Sequence, residues 1–176
     1  MIDNHMNSRK QPTPGSEHIE IRERGLGLVG HFQCAVQTSI DIDASVERVW
    51  SILTANSAYR DWNPFIRELV GDLEVGRRLQ VAVGGNDSDL LRFEVNITNC
   101  EAERELRWSS RYGVPGLIDT EHYFVLEENE LGGIHLSHGE NFWGLLVPQM
   151  VRPGIRDVAT GFDAMNKALK DEAEAS

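Results

Sequence analysis

Between residues 32 and 42 the chain alternates. Cys34, Val36, Thr38, Ile40 and Ile42 fall on one face, and Gln33, Gln37, Ser39 and Asp41 on the other. A period of two sends successive side chains to opposite faces, so this segment predicts a half-buried strand. The period then changes: Val46, Val49, Trp50 and Leu53 recur at helical spacing behind Ser45, a suitable N-cap. A second short helix is expected from about Ser57, with Asn56 or Ser57 as its cap. It must end by Trp62-Asn63, because Pro64 disfavours helical backbone at the residue before it. Six further strand signals follow, at 65–70, 78–83, 90–99, 105–111, 118–126 and 133–142, separated by Gly/Asp/Asn turns or short charged loops. Leu91, Phe93, Val95 and Ile97 alternate with Arg92, Glu94, Asn96 and Thr98, so one face is buried and one is wet. That pattern argues for an antiparallel meander and against parallel βαβ units.

The last segment reads as a long helix. Val151, Ile155, Val158, Phe162, Met165 and Leu169 are spaced 4, 3, 4, 3, 4 and form one apolar stripe. Pro148 fits a first turn, and Pro153 should kink the helix or delay its regular part. The order is therefore strand, two short helices, six strands and a long helix, an α+β domain with a curved antiparallel sheet of about seven strands. One helix cannot fill the concave side of so wide a twisted sheet, and a cavity between them is expected. The domain is taken as residues 31–176, with 1–30 as a flexible N-terminal extension. Within that extension, Ile19, Ile21, Leu26, Leu28 and Val29 are apolar enough to add an edge strand or pack loosely, although Gly25, Gly27 and Gly30 weaken either element.

The chain carries 17 Lys+Arg against 28 Asp+Glu, a net charge of −11, and its basic residues are scattered. Such a surface repels phosphate backbones, so nucleic acid is not expected as a partner. No stretch reaches the ~18 apolar residues of a membrane span, and residues 1–15 lack the apolar core of a secretory signal, so a cytoplasmic location is expected. Cys34 and Cys100 have no metal-type spacing and read as reduced thiols. The 84–89 stretch, rich in Gly, Asn and Asp, reads as a hairpin loop, lacking the ligand pattern of a calcium loop. No cofactor motif is present, and the pattern does not fix an oligomeric state.

Three segments carry a family resemblance. Ile40 to Trp50 (IDIDASVERVW) resembles the opening I-x-A-[PS]-x-x-x-V-W of the SRPBCC superfamily, the START-like helix-grip proteins. Trp62-Asn63-Pro64-Phe65-Ile66 is similar to the W-N-P-F-I segment of its polyketide cyclase/dehydrase group. His138 to Leu146 (HGENFWGLL) resembles the H-x-E-x-F-x-G-L-L junction of the same group. The resemblance spans about residues 32–170. It implies a helix-grip fold with a hydrophobic cavity under the long helix, in a superfamily whose members bind lipids, sterols, polyketides, hormones or quinones; a minority are cyclases, dehydratases or hydrolases, and a related branch assists chaperones.

Alternation places Leu136, His138, Glu140 and Phe142 on one face of their strand, His122, Phe124 and Leu126 together, and Leu106 with Trp108. These sets are taken to face the cavity, which leaves His122, His138 and Glu140 as polar groups in an apolar pocket. They would orient a ligand by hydrogen bonding, or act as general acid and base in a cyclisation or dehydration. A His-His-Glu metal set is the weaker reading, since the helical spacing of common metal motifs is absent. The expected ligand-binding residues are Trp62, Phe65, Phe93, Trp108, His122, Phe124, His138, Glu140, Phe142, Met150 and Phe162. The expected partner is a small hydrophobic or amphipathic molecule, such as a lipid, polyketide or aromatic metabolite. The alternatives are a cyclase/dehydratase using the His/Glu groups, and a chaperone-activator-like module working through its grip surface.

Overall fold

A computed structural model of the chain describes residues 18–26, 31–85 and 89–175. Eight strands form one antiparallel sheet: β1 (His18–Leu26), β2 (His31–Ile42), β3 (Ile66–Val70), β4 (Arg78–Val83), β5 (Leu91–Glu101), β6 (Glu105–Tyr112), β7 (Ile118–Glu128) and β8 (Ile134–Gly144). Their spatial order is β1-β2-β8-β7-β6-β5-β4-β3, so the meander β3 to β8 curls until its last strand meets β2. Helix α1 (Val46–Thr54) and the short α2 (Tyr59–Trp62) link β2 to β3, and α3 (Ile155–Glu174) crosses the concave face. This is the helix-grip architecture.

The strand count is eight where the sequence pattern implies about seven. The added strand, β1, lies inside the segment read as an extension and pairs with β2 from His18 opposite Ser39 to Leu26 opposite His31. Its apolar alternation is short and ends in glycines, which is why periodicity alone does not define it. Leu28, Val29, residues 1–17 and residues 86–88 of the expected 84–89 hairpin lie outside the described residues.

Local chemistry accounts for the connections. Ser45 caps α1, its hydroxyl accepting from the Arg48 amide at 3.3 Å. The Asn63 side-chain oxygen accepts from the amides of Phe65 and Ile66, each at 2.9 Å, which turns the chain out of α2 and into β3. After β8 the backbone makes a π-helical turn (Val147–Val151) and a 3-10 turn (Arg152–Gly154) before the regular helix starts at Ile155. Pro148 and Pro153 sit in those turns, where a missing amide hydrogen costs least.

Helix α3 meets the sheet mainly on β2. Its C-terminal half sends Met165, Leu169 and Ala173 into the larger core, with Ile40, Leu53, Tyr59, Phe124 and Leu136. Its N-terminal half sends Ile155, Ala159 and Phe162 into a second cluster with Val36 and Phe142. Phe65 packs against both and meets Phe162 edge-on at 5.5 Å. Gly161 makes that contact possible: a Cβ there would run into the Phe65 ring.

Helix propensity alone would make Gly161→Ala stabilising by about 1 kcal/mol. Overpacking against Phe65 outweighs it, so G161A is expected to lose about 1–2 kcal/mol in urea unfolding. A gain in stability would show that the ring is not held by the helix.

Candidate functional site

Sheet register builds the site row by row. Trp108, His122, Glu140 and Val36 lie opposite one another across β6, β7, β8 and β2. The next row toward the main core is Leu106, Phe124, His138 and Thr38. On the other side come Ser110, Thr120 and Phe142. Because alternate residues share a face, all three rows project to the concave side, and His122 and His138 become diagonal neighbours.

A cavity of about 330 Å³ lies between these strands and the N-terminal part of the helical segment. Phe65 and Ile66 from β3 and its approach, Val81 and Val83 from β4, and Leu91 and Phe93 from β5 form one wall. Trp108, Ser110, Ile118, Thr120 and Phe142 form another, and Met150, Val151 and Val158 roof it. Leu91 and Met150 line it while being mostly exposed, so the mouth opens between the start of β5 and the turn preceding α3. The walls are mainly apolar. Polar groups gather on one side, where His122 and Glu140 stand next to Ser110 and Thr120, whose hydroxyls are 2.8 Å apart.

His122 Nδ1 lies 3.8 Å from Glu140 Oε2, and His122 Nε2 lies 3.0 Å from His138 Nε2. His138 Nδ1 is 2.8 Å from the side-chain oxygen of Asn166 on α3, whose amide nitrogen donates to Thr38 Oγ1 at 2.8 Å. Aromatic rings enclose the pair. Trp108 stacks on His122 at 4.6 Å and 7°, and Phe162 stacks on His138 at 4.1 Å and 25°. His138 is fully buried, and that burial, together with His122 beside it, pushes its pKa well below the usual imidazole value of 6.5. Burial likewise raises the Tyr112 phenol at the cavity rim.

Of the expected ligand-binding residues, Phe65, Phe93, Trp108, His122, Glu140, Phe142 and Met150 line the cavity. Phe124 and His138 share the concave face but are fully buried, and Phe162, on α3 itself, is fully buried where it stacks on His138. Trp62 packs beside Tyr59 at 5.2 Å and against the main core, away from the cavity wall. Trp143 lies on the opposite face of the sheet, in a second pocket with Glu20 and Tyr123. Sequence reading missed Asn166, and Thr38 appeared in it only as a member of a buried face. The available signal was a polar residue inside the apolar stripe of α3, four residues after Phe162 and three before Leu169. Among the described residues, no group of three His, Cys, Asp or Glu side chains is arranged to hold a metal ion. No described helix is long and apolar enough to cross a membrane.

A family model described as "Polyketide cyclase / dehydrase and lipid transport" matches residues 33–174. The chain belongs to this family. Solved structures agree on the fold. BexL, a di-domain ARO/CYC from the BE-7585A biosynthetic pathway, is similar with a TM-score of 0.64 and 15% identity, over 82% of this chain and 51% of BexL. The chain thus spans about half of BexL's length. StfQ, the di-domain ARO/CYC of the steffimycin pathway, is similar with a TM-score of 0.64 and 10% identity, over 81% of this chain and 51% of that one. A Rhodobacter sphaeroides protein is similar with a TM-score of 0.65 and 18% identity, over 90% of this chain and 99% of that one. No curated protein sequence matches the chain significantly. Family membership supports a ligand-binding or cyclase-type SRPBCC protein.

The buried imidazole gives the domain a pH signature. His138 resists protonation in the fold, whereas in the unfolded chain it takes a proton near pH 6.5. Its contribution to stability is therefore intact above that pH and is lost as pH falls below it, by up to about 1.4 kcal/mol per unit. Between pH 7.5 and 5.0 the wild type is expected to lose about 1–2 kcal/mol more than His138→Gln in urea unfolding. Equal losses would mean that His138 is not held neutral.

Proposed function

We propose that the chain binds a small hydrophobic or amphipathic molecule in the cavity under α3. Its apolar body would lie against Phe65, Val81, Phe93, Trp108 and Val158, and its polar end at His122 and Glu140. One observation carries this reading: a cavity of about 330 Å³, apolar except along one side. That size falls within the range of small-molecule sites, and a mainly apolar pocket with a few convergent polar groups is their usual chemistry. Burying a ligand's apolar surface supplies affinity at about 25 cal/mol per Å², and the polar side fixes orientation. A module acting only through its outer grip surface would need no such space, which places the chaperone-activator alternative behind.

The test is native mass spectrometry of gently purified protein. A reproducible excess on the order of a few hundred daltons over the denatured chain is expected, matching a ligand that fills such a cavity. Val158→Phe, which projects a ring into the cavity from α3, is expected to weaken binding of that ligand by at least about tenfold, with the circular dichroism spectrum unchanged. Equal affinity in the mutant would count against the cavity as the binding site.

A second reading has its own support. The Glu140 carboxyl and His122 Nδ1 sit 3.8 Å apart at the cavity wall, a separation that a ligand atom can bridge. In a cyclase or dehydratase they would exchange protons with a poly-β-ketone substrate. Glu140→Gln would then abolish turnover while leaving ligand affinity within about tenfold, ~1.4 kcal/mol. Unchanged turnover would remove this reading and leave the first intact.

A further inference from the structure

Thr38, Asn166, His138, His122 and Glu140 form one polar chain running from beneath α3 to the cavity wall, and its donors and acceptors follow in order. Thr38 has a single hydroxyl hydrogen, which goes to the His138 backbone carbonyl 3.1 Å away. The Thr38 oxygen is then free to accept from the Asn166 amide nitrogen at 2.8 Å. That orientation turns the Asn166 carbonyl oxygen toward His138 Nδ1. A carbonyl oxygen only accepts, so His138 carries its hydrogen on Nδ1. A neutral imidazole protonated there has a lone pair on Nε2, and this lone pair faces His122 Nε2 at 3.0 Å. His122 must therefore donate from Nε2. In the neutral ring its other nitrogen, Nδ1, then carries a lone pair, 3.8 Å from Glu140 Oε2 on the cavity wall.

We infer that the cavity takes a ligand bearing a hydroxyl donor, a phenol or an enol, which is received by His122 Nδ1 in a tautomer that Asn166 fixes from behind. An imidazole lone pair next to a carboxylate is complementary to an O–H group whose hydrogen the two can share. A ketone oxygen or a methyl group offers neither atom a hydrogen. The stacking of Trp108 on His122 holds the ring plane, so the direction of the lone pair is set as well as its identity. Asn166 touches no ligand in this account; it is a positioning residue acting through His138. The proposal rests on the cavity being the ligand site.

Two measurements on the full chain test it. Long-range proton–nitrogen correlations of ¹⁵N-histidine-labelled wild-type protein at pH 7.5 report each tautomer without any mutation. Expected are hydrogens on His138 Nδ1 and His122 Nε2; hydrogens on His138 Nε2 and His122 Nδ1 would overturn the assignment. In Asn166→Leu the two histidines are expected to lose this fixed pattern, and an unchanged pattern would remove Asn166 from the account. The ligand class is read by titrating 1-naphthol and 1-methylnaphthalene, which are similar in size. The naphthol is expected to bind about threefold to tenfold more tightly, as one added net hydrogen bond allows. Equal affinity would overturn the hydroxyl inference while leaving the cavity reading in place. Binding of neither would overturn both.

Discussion

The concave face of eight antiparallel strands offers more apolar surface than one helix can cover. Helix α3 follows β2, and where its C-terminal half descends onto the sheet, Met165, Leu169 and Ala173 close the core completely. Toward its N-terminus the far strands β4, β5 and β6 curve away from it, and the space they leave is the cavity. The late start of the regular helix belongs to the same arrangement. Pro148 and Pro153 hold the incoming chain in a π-helical and then a 3-10 turn, which places Met150 and Val151 over the opening. Gly144 makes the turn at the end of β8: its φ of +140° is poorly suited to other residues, and a Cβ would strike the Leu117 carbonyl.

A polar path connects the covered and uncovered parts of this face. His138 lies where α3 seals the sheet, and its nitrogens meet Asn166 and His122, so a fully buried imidazole is satisfied on both sides. His122 lies one row away, still touched edge-on by Phe162 of α3 at 5.0 Å, but it lines the cavity, with its Nδ1 3.8 Å from Glu140 Oε2. The same register that makes the two histidines diagonal neighbours thus gives them different work. The deeper one ties helix to sheet, and the shallower one carries that connection to the cavity wall.

The elements easiest to read in the sequence were those with one wet face. Strands β5 to β8 and the stripe of α3 announce themselves because solvent enforces polarity on every second or every third and fourth position. Ser45, Pro64 and Pro153 mark boundaries by local chemistry that tertiary structure does not override. Depth is a different matter. Period two assigns His138 and Phe124, and the helical stripe assigns Phe162, to the side where the cavity lies, yet neither can tell that these three are fully buried while His122 and Glu140, one row away, line the cavity. Trp62 shows the same limit, since an aromatic residue near the right segment can serve the core as well as a pocket. Asn166 went unread because a lone polar residue within an apolar stripe looks like an imperfection until its partner on another strand is known. β1 was read only as one of two options, an edge strand or loose packing, because its alternation ends in glycines.

The central claim is that the uncovered part of the sheet is an apolar binding cavity whose polar side is His122 and Glu140. The most direct measurement is a crystal structure of the protein soaked with 1-naphthol. The account predicts the ring between Phe93, Trp108 and Val158, with its oxygen within about 3.2 Å of His122 Nδ1. A ring seated on the outer face of the sheet, or a cavity closed by its own side chains with the ligand excluded, would contradict it.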